Sequence, residues 1–206
     1  MSRRLGWYLS VALCAGAVAS GQVIEFESGG LKYQTLSKSG VTIMYAPLAL
    51  QVRDYSIVQV TVTNGSKAAC TVRPEDFAFR FPDGREVRAA PAQAVVTDFL
   101  KKAGRNDVIR LVSTYEVSLY GLSRYKSTSG YEQRRQAALA EVSSTKLKAA
   151  AAASAIAFVE MRLKPGESTD GALFFPARGI PLTGSTLRVS AGGQLFEFNP
   201  EPPPAR

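Results

Sequence analysis

The sequence predicts a mainly β protein, an antiparallel β-sandwich interrupted by a helical insertion, and three observations carry that expectation. Apolar residues alternate with period two through residues 23–90 and 157–199. Turn-forming pairs punctuate both regions at short intervals, and the stretch between them repeats apolar residues every three or four positions. Strands, then helices, then strands is the order of a sheet pair with an excursion between two of its strands.

Residues 1–20 read as a cleavable signal peptide. Arg3 and Arg4 give a positive start, Leu5 to Val18 an apolar run, and Val18-Ala19-Ser20 the small residues at which a signal peptidase cuts. The expected mature chain begins near Gly21 and is exported to the periplasm or the extracellular space. Cys14 follows Leu13 where a lipobox carries a small residue, so no lipid anchor is expected. The next most apolar stretch, Ala149 to Val159, is about half the roughly 20 residues a spanning helix needs, so no transmembrane segment is expected after cleavage.

In the first strand region Val41 to Tyr45 is β-rich, and Ile57 to Thr63 alternates as a half-buried strand. Asn64-Gly65, two residues that tolerate positive φ, is expected to join that strand to the segment carrying Cys70 as a hairpin. Asn64-Gly65-Ser66 also has the form of a glycosylation sequon, although its turn chemistry suffices to explain it. A second hairpin is marked by Pro82-Asp83-Gly84, preceded by Phe77, Phe79 and Phe81, whose rings fall on one side of a strand.

The character changes at Pro91. Val95, Val96, Phe99 and Leu100 fit a short helix ending near Gly104. Asn106 or Asp107 is placed to cap a second helix, with Val108, Leu111, Val112, Tyr115 and Leu119 on one face. After the polar linker 127–130, Ser129 and Glu132 form a capping box for a long Ala-rich helix from Tyr131 to about Ala153. Strand alternation resumes at Ala157 and continues to the Pro165-Gly166 turn; Ala172 to Phe175 forms another strand. Thr186 to Ser190 and Gln194 to Asn199 close as a hairpin at Gly192-Gly193. The expected organisation is one domain over 21–199 with a helical insert at about 91–157, followed by a disordered tail, 200–206, that contains four prolines.

Two groups of motifs resemble a class of small exported bacterial immunoglobulin-like domains of undetermined function. The first is Val58-Gln59-Val60-Thr61-Val62-Thr63-Asn64-Gly65-Ser66, Val72-Arg73-Pro74-Glu75-Asp76-Phe77 and Pro82-Asp83-Gly84. The second is Leu163-Lys164-Pro165-Gly166-Glu167-Ser168 with Gly171-Ala172-Leu173-Phe174-Phe175-Pro176. The resemblance covers the two flanking regions, not the helical middle. It implies an immunoglobulin-like sandwich, export, and a binding or interaction role, and it transfers no catalytic residue.

Chemistry-bearing residues are sparse. Histidine is absent, which removes the commonest metal ligand and the commonest general base near neutral pH. With Cys14 in the signal, Cys70 is the only mature thiol, and its alternation with Ala68 and Val72 turns it inward as a small hydrophobe. No clustered ligand set appears, so no metal and no cofactor are expected. Ser143 and Lys146 have Ser-x-x-Lys spacing, but the companion Ser-Asp-Asn and Lys-Thr-Gly elements of penicillin-recognising enzymes are missing. Adjacent Glu75 and Asp76 suit a turn or cap rather than a paired carboxylate site.

Charge is the stronger clue. The formal +8 includes Arg3 and Arg4; the remaining chain has 23 basic and 17 acidic residues, a net +6. Residues 91–157 hold ten basic against five acidic residues, whereas the flanking regions are almost neutral. A basic helical insert suits a protein or anionic envelope component, while export and the lack of an aromatic-basic or zinc module argue against nucleic acid. The expected binding residues are Lys101, Lys102, Arg105, Arg124, Tyr125, Lys126, Arg134 and Arg135, with Tyr115, Tyr120 and Tyr131 nearby in sequence. The expected function is a non-enzymatic interaction module. Self-association through the Ala-rich helix, or a Ser-Lys hydrolase at Ser143 and Lys146, are the alternatives.

Overall fold

A computed structural model describes residues 21–107, 109–110 and 144–199, the side chain of Leu50 excepted. The expected signal peptide, the tail, most of the second helix and the first half of the long helix lie outside those residues. Among the described residues the protein is mainly β, and its sheets are antiparallel.

The larger sheet has the order β1-β2-β3-β4-β9, from β1 (Ile24–Ser28), β2 (Leu31–Lys38), β3 (Val41–Val52), β4 (Tyr55–Asn64) and β9 (Ser168–Phe175). A second sheet runs β11-β10-β6-β7, from β6 (Phe77–Arg80), β7 (Glu86–Arg88), β10 (Thr186–Ala191) and β11 (Gln194–Phe198). A short pair joins β5 (Cys70–Val72) to β8 (Met161–Leu163). Helices α1 (Ala92–Lys102) and α2 (Thr145–Ile156) fall between β7 and β8 in the chain.

The two large sheets share one apolar core. Val58, Val60 and Val62 of β4 and Leu173 and Phe175 of β9 face Phe77, Phe79, Leu187, Val189, Phe196 and Phe198. Aromatic edges lock the layer: Tyr45 meets Phe198 at 4.9 Å between ring centroids, and Phe79 meets Phe175 at 4.8 Å. The opposite face of the larger sheet packs on the helices, with Tyr55, Ile57 and Phe174 against Val95, Phe99, Ala149, Ala153 and Ile156. The helices are therefore a third layer of the fold.

That third layer corrects the expectation of a half-buried β4. Valines on one face meet the second sheet, and Tyr55, Ile57, Gln59 and Thr61 on the other are buried too. A period-two alternation of Val with Gln and Thr marks one dry face, but the polar residues do not report whether a third layer covers the other.

Asn64-Gly65 makes a turn, but no β4–β5 hairpin. β4 pairs with β3 and β9, while β5 pairs with β8, Cys70 lying opposite Leu163. The Asn64 side chain explains the departure: its amide donates to the carbonyls of Ala68, at 2.8 Å, and Leu163, at 3.0 Å, and its Oδ1 accepts from the Ser66 amide at 3.0 Å. These bonds route the chain away from β4 toward β8. Asn64 is fully buried, so the formal sequon presents no accessible amide.

The Pro82-Asp83-Gly84 hairpin forms as expected, joining β6 to β7, and Gly192-Gly193 joins β10 to β11. α1 also forms as expected, with Val95 and Phe99 buried and Ala103 at its C-cap. Backbone helix resumes at residues 105–107, so Asp107 is inside the turn instead of capping from outside it. Its carboxylate reaches back to the Gly104 N–H at 2.8 Å while its own N–H donates to the Gly104 carbonyl.

The long helix is not continuous through residue 144. Ser144 has extended backbone angles, φ −78° and ψ 132°, and is the N-cap of α2, which then runs beyond Ala153 to Ile156. Strand structure does not resume at Ala157 either: Ala157 makes an isolated bridge to Ala172, and β8 begins at Met161. Gly171 allows this crossing, because a Cβ there would lie 2.7 Å from the Phe158 Cα. The absent side chain lets the segment leaving α2 lie directly on β9, where the Phe158 N–H donates to the Ala172 carbonyl at 2.8 Å.

Candidate functional site

The basic corner is built at the C-terminal end of α1. Lys101 and Lys102 occupy its last turn, where cations oppose the partial negative charge of unpaired carbonyls. Lys102 Nζ pairs with Asp98 at 3.0 Å, one helical turn back. Arg53, at positive φ in the β3–β4 turn, donates to the Lys102 carbonyl at 2.6 Å and to Asp107 at 3.3 Å. This ties the end of α1 to the larger sheet and fixes where the corner sits.

Lys101, Lys102 and Arg105 are all exposed. Lys102 and Arg53 spend part of their charge on internal carboxylates, whereas Lys101 and Arg105 make no ion pair among the described residues. Arg124, Tyr125, Lys126, Arg134 and Arg135 lie outside the described residues, as do Tyr115, Tyr120, Tyr131 and Ser143. The structure therefore places the first three expected binding residues at one corner and adds Arg53 to them. The signal for Arg53 was faint, since a lone arginine in Arg53-Asp54 reads as an ordinary turn residue.

Apolar side chains accompany these cations. Leu100 is 39% exposed, Ile109 53% and Leu147 49%. They share their segments with Lys101, Arg105, Arg110, Lys146 and Lys148, so both ends of the insert present mixed basic and apolar surface. By contrast, the alanines of α2 face inward: Ala149, Ala150, Ala152, Ala153 and Ala155 are all buried.

A second concave feature lies on the β side of the molecule. Thr71, Arg73 and Asp76 form one wall of a groove of about 440 Å³, and residues 190–195 of the β10–β11 hairpin form the other. Arg73 and Asp76 flank the 3-10 turn Pro74–Asp76, where Asp76 Oδ2 accepts the Arg73 N–H at 2.8 Å. This is the cap role expected for the Glu75-Asp76 pair. Burial pushes the Asp76 carboxyl above its ordinary value, an effect only partly offset by the Arg73 N–H and guanidinium. No sequence pattern marks the groove, because it depends on β5 leaving β4 to lie beside β10.

Cys70 is buried, and burial pushes its thiol up from the ordinary value, so its nucleophilic thiolate is suppressed. Among the described residues no group of three or more His, Cys, Asp and Glu side chains is arranged to hold a metal ion. No helix among them is long and apolar enough to cross a membrane.

No protein-family model matches the chain, and no curated protein matches it. Among solved structures, the crystal structure of the yjhA protein from Bacillus subtilis aligns over 81% of this chain and 77% of its own, at 13% identity and a TM-score of 0.32. A likeness this slight bears on neither fold class nor function.

Proposed function

We propose that the chain is an exported, non-enzymatic interaction module: an immunoglobulin-like sandwich whose basic helical layer engages a protein or anionic component of the cell envelope, in the periplasm or outside the cell. The observation that carries this reading is the surface of the insert, where exposed Leu100, Ile109 and Leu147 stand among Lys101, Arg105, Arg110, Lys146 and Lys148. Cations draw an acidic partner in and fix its orientation, while desolvated aliphatic side chains slow its release. Single exposed aliphatic residues are ordinary on a protein surface; their coincidence with the most basic part of the chain is what supports a contact surface.

The test is a crosslinking pull-down from the native envelope fraction. It compares the intact protein with a variant reversed to Glu at Lys101, Lys102, Arg105, Arg124, Lys126, Arg134 and Arg135. The reading expects a partner captured by the intact protein and lost from the variant, with the circular-dichroism spectrum unchanged. Equal capture by a folded variant would remove the insert from the binding surface.

A further inference from the structure

We infer that the groove between β5 and the β10–β11 hairpin is a binding site for a small carboxylate that also carries an ammonium or hydroxyl donor, that is, an amino or hydroxy acid. The inference is separate from the basic insert, since the groove belongs to β5, the turn after it and the last hairpin.

Its lining selects the chemistry. Among the described residues that line it none is aromatic, and only Ala191 and Leu195 are aliphatic, so it offers little to an apolar or ring-stacking ligand. Arg73 and Asp76 line the same space, with Thr71, Ser190 and Gln194 among its other lining residues. At about 440 Å³ the groove is within the size range of small-molecule sites.

Both charged groups have capacity left. Arg73 reaches Glu160 through Nε at 3.3 Å, and both side chains of that pair are more than half exposed, which makes it weak and easily displaced. An incoming carboxylate can take the guanidinium fork in the two-point geometry that arginine favours. One oxygen of Asp76 is held by the Arg73 N–H, and the other has no hydrogen-bond partner among the described residues. A partly desolvated carboxyl of this kind gains from a ligand ammonium or hydroxyl.

The hairpin that forms the opposite wall is held by its glycines. Gly192 and Gly193 both have positive φ, 56° and 71°. A Cβ on Gly192 would press within 3.0 Å of Val41 Cγ2, which holds the hairpin against the larger sheet, whereas a Cβ on Gly193 would meet nothing within 4 Å. At Gly192 the turn therefore packs its backbone against Val41 and Cys70, which fixes the position of this wall.

The test is titration of 15N-labelled protein with serine and with lactate, using acetate as the carboxylate without a donor and ethanolamine as the amine without a carboxylate. Saturable shifts are expected at the amides of Thr71 and Ser190 to Leu195 with serine or lactate at millimolar concentration, and binding about tenfold weaker for both controls. Arg73→Gln should abolish the shifts. Asp76→Asn, which keeps an acceptor for the Arg73 N–H, should weaken serine more than lactate. Shifts as large with acetate as with serine, or no saturable shift with either probe while the spectrum shows a folded protein, would overturn the inference.

Discussion

Gln59 is the residue at which the fold is most exposed to a decisive perturbation. It lies mid-strand in β4 on the helix-facing side, with Ala46 of β3 and Ala172 of β9 directly beside it, and it is 1% exposed. Neither its Nε2 nor its Oε1 has a hydrogen-bond partner among the described residues. A buried polar group without a partner costs about 1–3 kcal/mol. Met has nearly the same length and shape, is flexible enough to fit between two alanines, and carries no amide to satisfy. Gln59→Met should therefore stabilise the protein by up to about 2 kcal/mol once about 1 kcal/mol is allowed for its slightly larger volume. In a domain of this size that raises the melting temperature by up to about 8 °C. Urea unfolding followed by far-ultraviolet circular dichroism measures it, with Gln59→Ala as a control that should fall below wild type by leaving a cavity. A loss of stability in Gln59→Met of about 1 kcal/mol or more would refute the reasoning, because it would mean that the amide is satisfied in the folded protein.

Three other outcomes follow from particular contacts. Asn64→Ala removes the bonds to the Ala68 and Leu163 carbonyls and to Ser66, and should cost about 2–3 kcal/mol in the same assay, with unchanged stability counting against Asn64 as the organiser of the turn. Gly171→Ala drives a methyl group into the Phe158 backbone and should cost about 3 kcal/mol or abolish folding, whereas a well-folded variant of wild-type stability would contradict the close crossing. Asp76 has a carboxyl raised above 3.8 by burial, so its charged form is disfavoured in the folded state. Its cost is present at neutral pH and is relieved as the pH falls through the raised value. Asp76→Asn should thus be the more stable protein at pH 7, with the advantage shrinking toward about pH 4, and a variant less stable than wild type at pH 7 would reverse the sign.

Much of the β framework was legible in the sequence because turn chemistry is local. Pro82-Asp83-Gly84 and Gly192-Gly193 specify their hairpins from within a few residues, and Val95 with Phe99 marks the buried stripe of α1. What was not legible depends on contacts distant in sequence. Asn64-Gly65 has the composition of a hairpin turn, yet a carbonyl 99 residues away, that of Leu163, recruits its side chain and redirects the strand. The covered second face of β4 was hidden because Gln59 and Thr61 look solvent-facing in the sequence, yet both are buried. Helix propensity places Ser144 inside a long Ala-rich helix, whereas its extended backbone makes it the N-cap of α2.

The same distinction applies to the candidate sites. The basic character of residues 91–157 is a property of composition and so was visible at once. The groove walls, Thr71 to Asp76 and Ser190 to Leu195, are more than a hundred residues apart and meet only because β5 packs beside β10. Arg53 joins the basic corner for the same reason, through bonds to the Lys102 carbonyl and Asp107.

The packing of the helices also decides how the proposed function has to be tested. Excising residues 91–157 would uncover Tyr55, Ile57 and Phe174, which α1 and α2 bury, and the exposed apolar sheet would capture partners for the wrong reason. Surface charge reversal leaves that interface intact. The most direct measurement is the affinity of the captured envelope partner for wild-type protein and for the variant reversed at Lys101, Lys102 and Arg105, as a function of salt. The account predicts at least a tenfold weaker complex for the variant and a wild-type affinity that falls as salt screens the cations. Equal affinities with no salt dependence would contradict it and move the binding surface off the basic insert.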